Sequence, residues 1–146
     1  MHIVIRSVEK RRSTNPAEFV RWMCEVFDLA NTDDNGKAIE QEILEKLIIA
    51  SRLNTGISSS EIKPSSNVAR STIIYHLNRL IDTGLVVKRG RKYYLRGADM
   101  TSAIKEVEYD IEREMSSLLD AASEFDSILS EQMDHIKNRY ETKSRR

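Results

Sequence analysis

Apolar positions recur in helical steps along most of the chain. Asn15-Pro16-Ala17-Glu18 predicts a helix start, with Asn15 as cap and Pro16 at a first-turn site where its missing N–H is harmless. Glu18 is placed to reach back as in a capping box. Phe19, Met23, Val26 and Ala30 then share one face, so the helix is expected to end near Ala30. Asn31 to Gly36 is a run of turn formers. A second helix follows from about Lys37 to Leu53, with Ile39, Ile43, Leu47 and Ala50 on its apolar side, and Asn54-Thr55-Gly56 stops it.

Ser58-Ser59-Ser60-Glu61 matches a second capping box and predicts a short helix, which Pro64 should truncate. Pro64 to Asn67 then reads as a turn. A further helix from about Ala69 to Thr83 puts Ile73, Leu77, Leu80 and Ile81 inward, and Gly84 ends it. Leu85 to Lys88 and Lys92 to Leu95 are β-prone runs around Arg89-Gly90-Arg91, a hairpin with a basic tip in which one of Tyr93 and Tyr94 faces inward.

From Asp99 onward one stripe continues without Gly or Pro: Met100, Ile104, Val107, Ile111, Met115, Leu118, Ala122, Phe125, Leu129, Met133, Ile136 and Tyr140. Its mean step is roughly 3.6 residues, near the natural helix repeat and above the heptad value, which predicts a nearly straight helix. At about 1.5 Å per residue it reaches roughly 60 Å. One small domain cannot cover such a stripe, so a homodimer is expected, with Ile104, Val107, Ile111, Leu118, Phe125, Leu129 and Ile136 as dimerisation residues. The stripe alone leaves parallel and antiparallel pairing open. Glu141 to Arg146 reads as a polar tail.

The fold class that results is mostly α with a small β-hairpin. Residues 1–36 form an N-terminal arm and helix, 37–97 a compact domain and 98–146 the long helix. A strand at Ile3 to Ile5 is one path for the arm. Lys10-Arg11-Arg12 is equally a phosphate contact or a solvated arm.

Charge changes the picture. The 146 residues hold 23 basic and 23 acidic side chains, yet Arg52 to Gly97 contains nine basic and only two acidic, a local +7. The flanking segments are correspondingly acidic. A basic module between acidic neighbours is the footprint of phosphate binding. The polar side of the 69–83 helix carries Ser71, Tyr75, Asn78 and Arg79, with Thr72 at its edge and Arg70 beside it. Hydroxyl, amide and guanidinium groups suit base edges and phosphates. Lys88, Arg89, Arg91 and Lys92 suit the DNA backbone or minor groove. His76 is expected to pack against the core flank.

The stretches Ser60-Glu61-Ile62, Val68 to Leu80 and Thr83-Gly84-Leu85-Val86 resemble ArsR/MarR-type regulators of bacteria and archaea. The resemblance implies a winged helix-turn-helix, with a recognition helix at about 69–83 in the major groove and a wing at 85–96. It implies a transcription regulator whose partners are double-stranded DNA and a second copy of the chain. Two departures stand out. Pro64 and Ser66 fall where the supporting helix normally continues, and Ala69 occupies the usual capping position, leaving Asn67 or Ser66 as caps. A protein-interaction winged helix and a non-specific chromatin or architectural DNA binder remain alternatives.

Other chemistry is weaker. Asn31, Asp33, Asn35 and Glu42 match part of an EF-hand loop, but the first position lacks a carboxylate and an Asx-rich connector is the expected reading. Cys24, His2, His76 and His135 are scattered, so no metal site, cofactor or catalytic constellation is expected. A lone cysteine and the lack of a secretory or membrane-spanning apolar run suggest a cytoplasmic protein. Trp22, Phe19 and Phe27 are expected in the core or dimer interface. A space between the first and long helices is a candidate for a small apolar effector of unknown identity.

Overall fold

The computed structural model describes residues 2–10, 12–29, 39–64 and 67–144. It is mostly helical with one small sheet: α1 Pro16–Val26, α2 Ile39–Arg52, β1 Ile57–Ser58, α3 Arg70–Asp82, β2 Val86–Arg89, β3 Lys92–Leu95 and α4 Met100–Ser144. The chain divides into two units, Met1–Glu108 and Tyr109–Arg146. The Asx-rich loop weighed as a calcium site lies largely within 30–38, outside the described residues.

In the first unit, α1 begins where the sequence predicts. Asn15 Oδ1 accepts the Ala17 N–H at 3.0 Å, while the Asn15 N–H donates to Ser13 Oγ rather than to Glu18. The helix stops at Val26, four residues before the expected end. Asp28 adopts φ 58°, a left-handed conformation that a continuing helix excludes. Ahead of α1 the described residues of the arm form no strand: His2 N–H donates to the Asp82 carbonyl and Arg6 N–H to that of Val26.

The core is built from α2, α3 and the sheet. Ile43, Leu44 and Leu47 of α2 are fully buried with Leu77 and Leu80 of α3 and Leu85 and Val86 at the first sheet strand of the hairpin. β2 and β3 pair antiparallel across a two-residue turn in which Gly90 takes φ +63°, a conformation that favours glycine. Tyr93 points into the core and Tyr94 is half-buried, as the alternation requires.

Two expectations need correction. Ser58 to Glu61 opens no helix. Ile57–Ser58 instead forms a third strand opposite Tyr93 and Lys92, giving sheet order β1-β3-β2, and a turn follows. The Ser58 hydroxyl does bond Glu61 Oε1 at 2.9 Å, but only across that turn. Pro64 explains why no helix grows from it. Gly56 permits the strand: a Cβ there would sit 2.6 Å from the Tyr94 ring.

The other correction concerns Val107, expected at the dimer interface. Val107 is 2% exposed and Ala103 fully buried within the first unit, so the opening turns of α4 belong to that unit's own core. Ile104, on the neighbouring side, is 36% exposed. Asp99 caps α4 by accepting the Ser102 N–H at 2.8 Å, and that bond holds its carboxyl below the usual carboxylate range. The second unit is helix through Ser144, well into the segment expected as a tail. Among the described residues no helix is long and apolar enough to cross a membrane.

Candidate nucleic-acid interface

α3 forms because Ile73, Leu77 and Leu80 give it a buried side, and it ends at Thr83-Gly84, where Gly84 takes φ 85°. Thr83 secures that end with its hydroxyl, which donates to the Leu80 carbonyl at 2.6 Å and accepts the Leu85 N–H. Ala69 occupies the cap position at the start of α3 and contributes no side-chain bond; of the two expected caps, Asn67 is not the cap residue and Ser66 lies outside the described residues. This start is the end of the helix dipole that favours anions.

On the outer side the structure leaves Arg70, Ser71, Tyr75 and Asn78 exposed, with Thr72 half-buried at the edge. Tyr75 is 58% exposed and packs edge-on against His76 at 5.1 Å between ring centroids. Arg70 extends back to Ser59 Oγ at 3.3 Å. On the hairpin, Lys88, Arg89, Arg91 and Lys92 are all exposed. Lys88 Nζ lies 5.6 Å from the Tyr93 ring and the Arg89 guanidinium 5.6 Å from the Tyr94 ring. The rings brace these cations on the strands without covering their charge.

Arg79 is the exception, and its sequence placement is corrected. It turns inward: Nη1 donates to Glu40 Oε1 at 2.8 Å and Nη2 to the Asp28 carbonyl at 3.0 Å. Glu40, on α2, has no solvent exposure, and a buried carboxylate is costly unless charged or hydrogen-bonding groups compensate it. His76, one turn earlier on α3, meets the same oxygen with Nδ1 at 2.7 Å. That approach is a close contact without hydrogen-bond geometry, and Nδ1 has no hydrogen-bond partner among the described residues. Oε2 of Glu40 has no hydrogen-bond partner among the described residues.

This cluster was missed by helical-wheel reasoning, although its signal is present. Glu40 falls directly beside core residue Ile39, and α3 carries a His and an Arg three residues apart, hence on one side. Cys24, 1% exposed, lies close enough to feel Glu40. Burial first, then Glu40, Glu45 and Glu25, pushes its thiol up to about 12.

Arg96 is also engaged, 3.8 Å from Glu106 and bonded to the Gly84 carbonyl. Of the nine basic residues between Arg52 and Gly97, seven are exposed: Arg52, Lys63, Arg70, Lys88, Arg89, Arg91 and Lys92. Five of these sit at the start of α3 or on the hairpin.

A groove of about 450 Å³ lies between the arm and α1, whereas the expected effector space was between α1 and the long helix. Lys10 already occupies the aromatic part of this groove, 5.4 Å from the Phe19 ring and 5.9 Å from that of Trp22. Trp22 is half-buried and donates Nε1–H to the Val8 carbonyl at 3.0 Å; Phe27 is core and Phe19 is 41% exposed. Among the described residues no cluster of three or more His, Cys, Asp or Glu is arranged to hold a metal. Comparison with protein-family models, curated proteins and solved structures finds no match for the chain.

Proposed function

We propose that the chain is a transcription regulator that binds double-stranded DNA through a winged helix-turn-helix. α3 serves as the recognition helix in the major groove and the β2–β3 hairpin as the wing on the phosphate backbone. The observation that carries the reading is the five exposed cations at the start of α3 and on the hairpin, beside an outer α3 surface of Ser71, Tyr75 and Asn78. Cations braced on tyrosine rings supply sequence-independent grip, and the short polar side chains supply contacts to base edges. The ArsR/MarR resemblance and the order α2, β1, α3, hairpin agree with this assignment. A second copy of the chain completes the regulator.

The diversion of Arg79 into the interior favours a second reading, a non-specific architectural binder. Without that guanidinium, the outer face of α3 loses the side chain best suited to guanine. Selection of bound duplexes from a random pool separates the two. A regulator enriches one duplex family, an architectural binder enriches none, and a protein-interaction module retains no duplex at low salt. Affinity for any duplex should fall on the order of a hundredfold between about 50 and 200 mM salt if roughly four phosphates are neutralised. Arg89→Ala should lower affinity equally on all duplexes, and Asn78→Ala should cost sequence preference.

A further inference from the structure

The second unit presents an apolar face that nothing among the described residues covers. Leu118 is 62% exposed, Phe125 60%, Met133 52% and Ile136 42%. Large contiguous apolar surface of this kind marks an association site. We infer that residues 111–140 pair antiparallel with the same segment of a second copy, centred between Phe125 and Asp126. The inference deepens the dimer in the proposed function by assigning its orientation and register.

The spacing of the face supports the centre. Reflection about that midpoint carries Ile111 onto Tyr140, Met115 onto Ile136, Leu118 onto Met133 and Ala122 onto Leu129. An antiparallel pair related by a two-fold axis needs this property, because each apolar residue must meet an apolar residue of the reversed partner. The two Phe125 side chains fall near the axis.

Charge supports the direction independently. From Asp110 to Asp126 there are six acidic residues against Arg113 alone, and Arg113 pairs with Asp110 on the same helix. From Lys137 to Arg146 there are five basic residues against Glu141. Parallel pairing would gather two acidic stretches at one end and two basic stretches at the other. Antiparallel pairing sets acid against base at both ends.

The flanking positions agree in detail. At about 100° per residue, Glu112 and Lys137 border one side of the apolar face and Glu114 and Arg139 the other. In an antiparallel pair like sides meet. Glu112 therefore faces Lys137 of the second copy and Glu114 faces Arg139, each twice. The two pairings lie two residues either side of the central register, as the flanks of an antiparallel coil require.

The test uses the full chain without DNA. A spin label at Asn138→Cys, in a Cys24→Ser background, should give an inter-label distance of about 35–40 Å from the roughly 1.5 Å rise per residue. Parallel pairing would give less than about 20 Å and overturns the inference. Lys137→Glu with Arg139→Glu should weaken the dimer on the order of tenfold or more, and adding Glu112→Lys with Glu114→Lys should restore it. No restoration, or a monomer at about 100 μM, also overturns it. A dimer of this geometry that ignores DNA leaves the pairing standing and removes the regulator. A chain that binds DNA but never pairs does the reverse.

Discussion

The two units use the same helical pattern to different ends. Val107, on the opening turns of α4, is buried in the first unit, whereas Leu118 and Phe125 on the same stripe are more than half exposed. Composition does not distinguish them, because every stripe residue is apolar and the step stays near one helical turn. The difference is what lies opposite. In the first unit other residues of that unit shield the helix; in the second the chain supplies no cover among the described residues. Periodicity shows which side of a helix avoids water, and only tertiary packing shows what shields it.

The sharpest challenge to this contrast targets the buried charge of the first unit. Arg79→Ala should destabilise the protein by about 3–5 kcal/mol, since it strands Glu40 in the interior. Denaturant unfolding measures this, and an Arg79→Ala protein of unchanged stability would return the side chain to the outer surface. Next, Leu77→Ala should cost about 2–5 kcal/mol at every protein concentration. Leu118→Ala should leave the unfolding of dilute protein nearly unchanged and affect only concentration-dependent association. Equal losses for both would erase the distinction between the units.

A smaller effect concerns Cys24. Alkylation of the native thiol should stay slow past pH 9, because its deprotonation is deferred to about 12. In the unfolded chain the proton leaves near the ordinary value of 9.0. Between these two values the native state holds the extra proton, so this group lowers stability as pH rises through that window. Smallest of all, Asp99→Ala should lower the melting temperature by a few degrees, since it uncaps α4. The native carboxyl titrates below 3.8, so its contribution is complete above that pH and fades as pH falls through the lowered native value.

Much of this architecture was legible in residue order. The Asn15-Pro16 start, the bodies of α2 and α3, the hairpin around Gly90 and the uninterrupted α4 all follow from caps, breakers and periodicity. Boundaries were less so: α1 stops early because of a left-handed backbone at Asp28, which an ordinary Asp does not announce. Ser58 to Glu61 misled because the same hydroxyl–carboxylate spacing serves a turn after a strand as well as a helix cap.

Of the candidate interface, the exposed positions were legible and Arg79 was not. The helical wheel puts it on the polar side of α3, but its side chain is long enough to swing back toward the α2 carboxylate. The deciding partner, Glu40, is thirty-nine positions away in sequence. Tyrosine bracing of Lys88 and Arg89 likewise depends on cross-strand register rather than local sequence.

The Arg79 contact has a mechanical consequence. One guanidinium ties α3 to the buried α2 carboxylate and to the carbonyl just beyond α1, so three helices share a single rivet. Re-aiming α3 would require unseating it. In the proposed complex a surface held this way would act as a stiff stamp rather than a glove, and a duplex would have to bring the matching curvature or bend to acquire it.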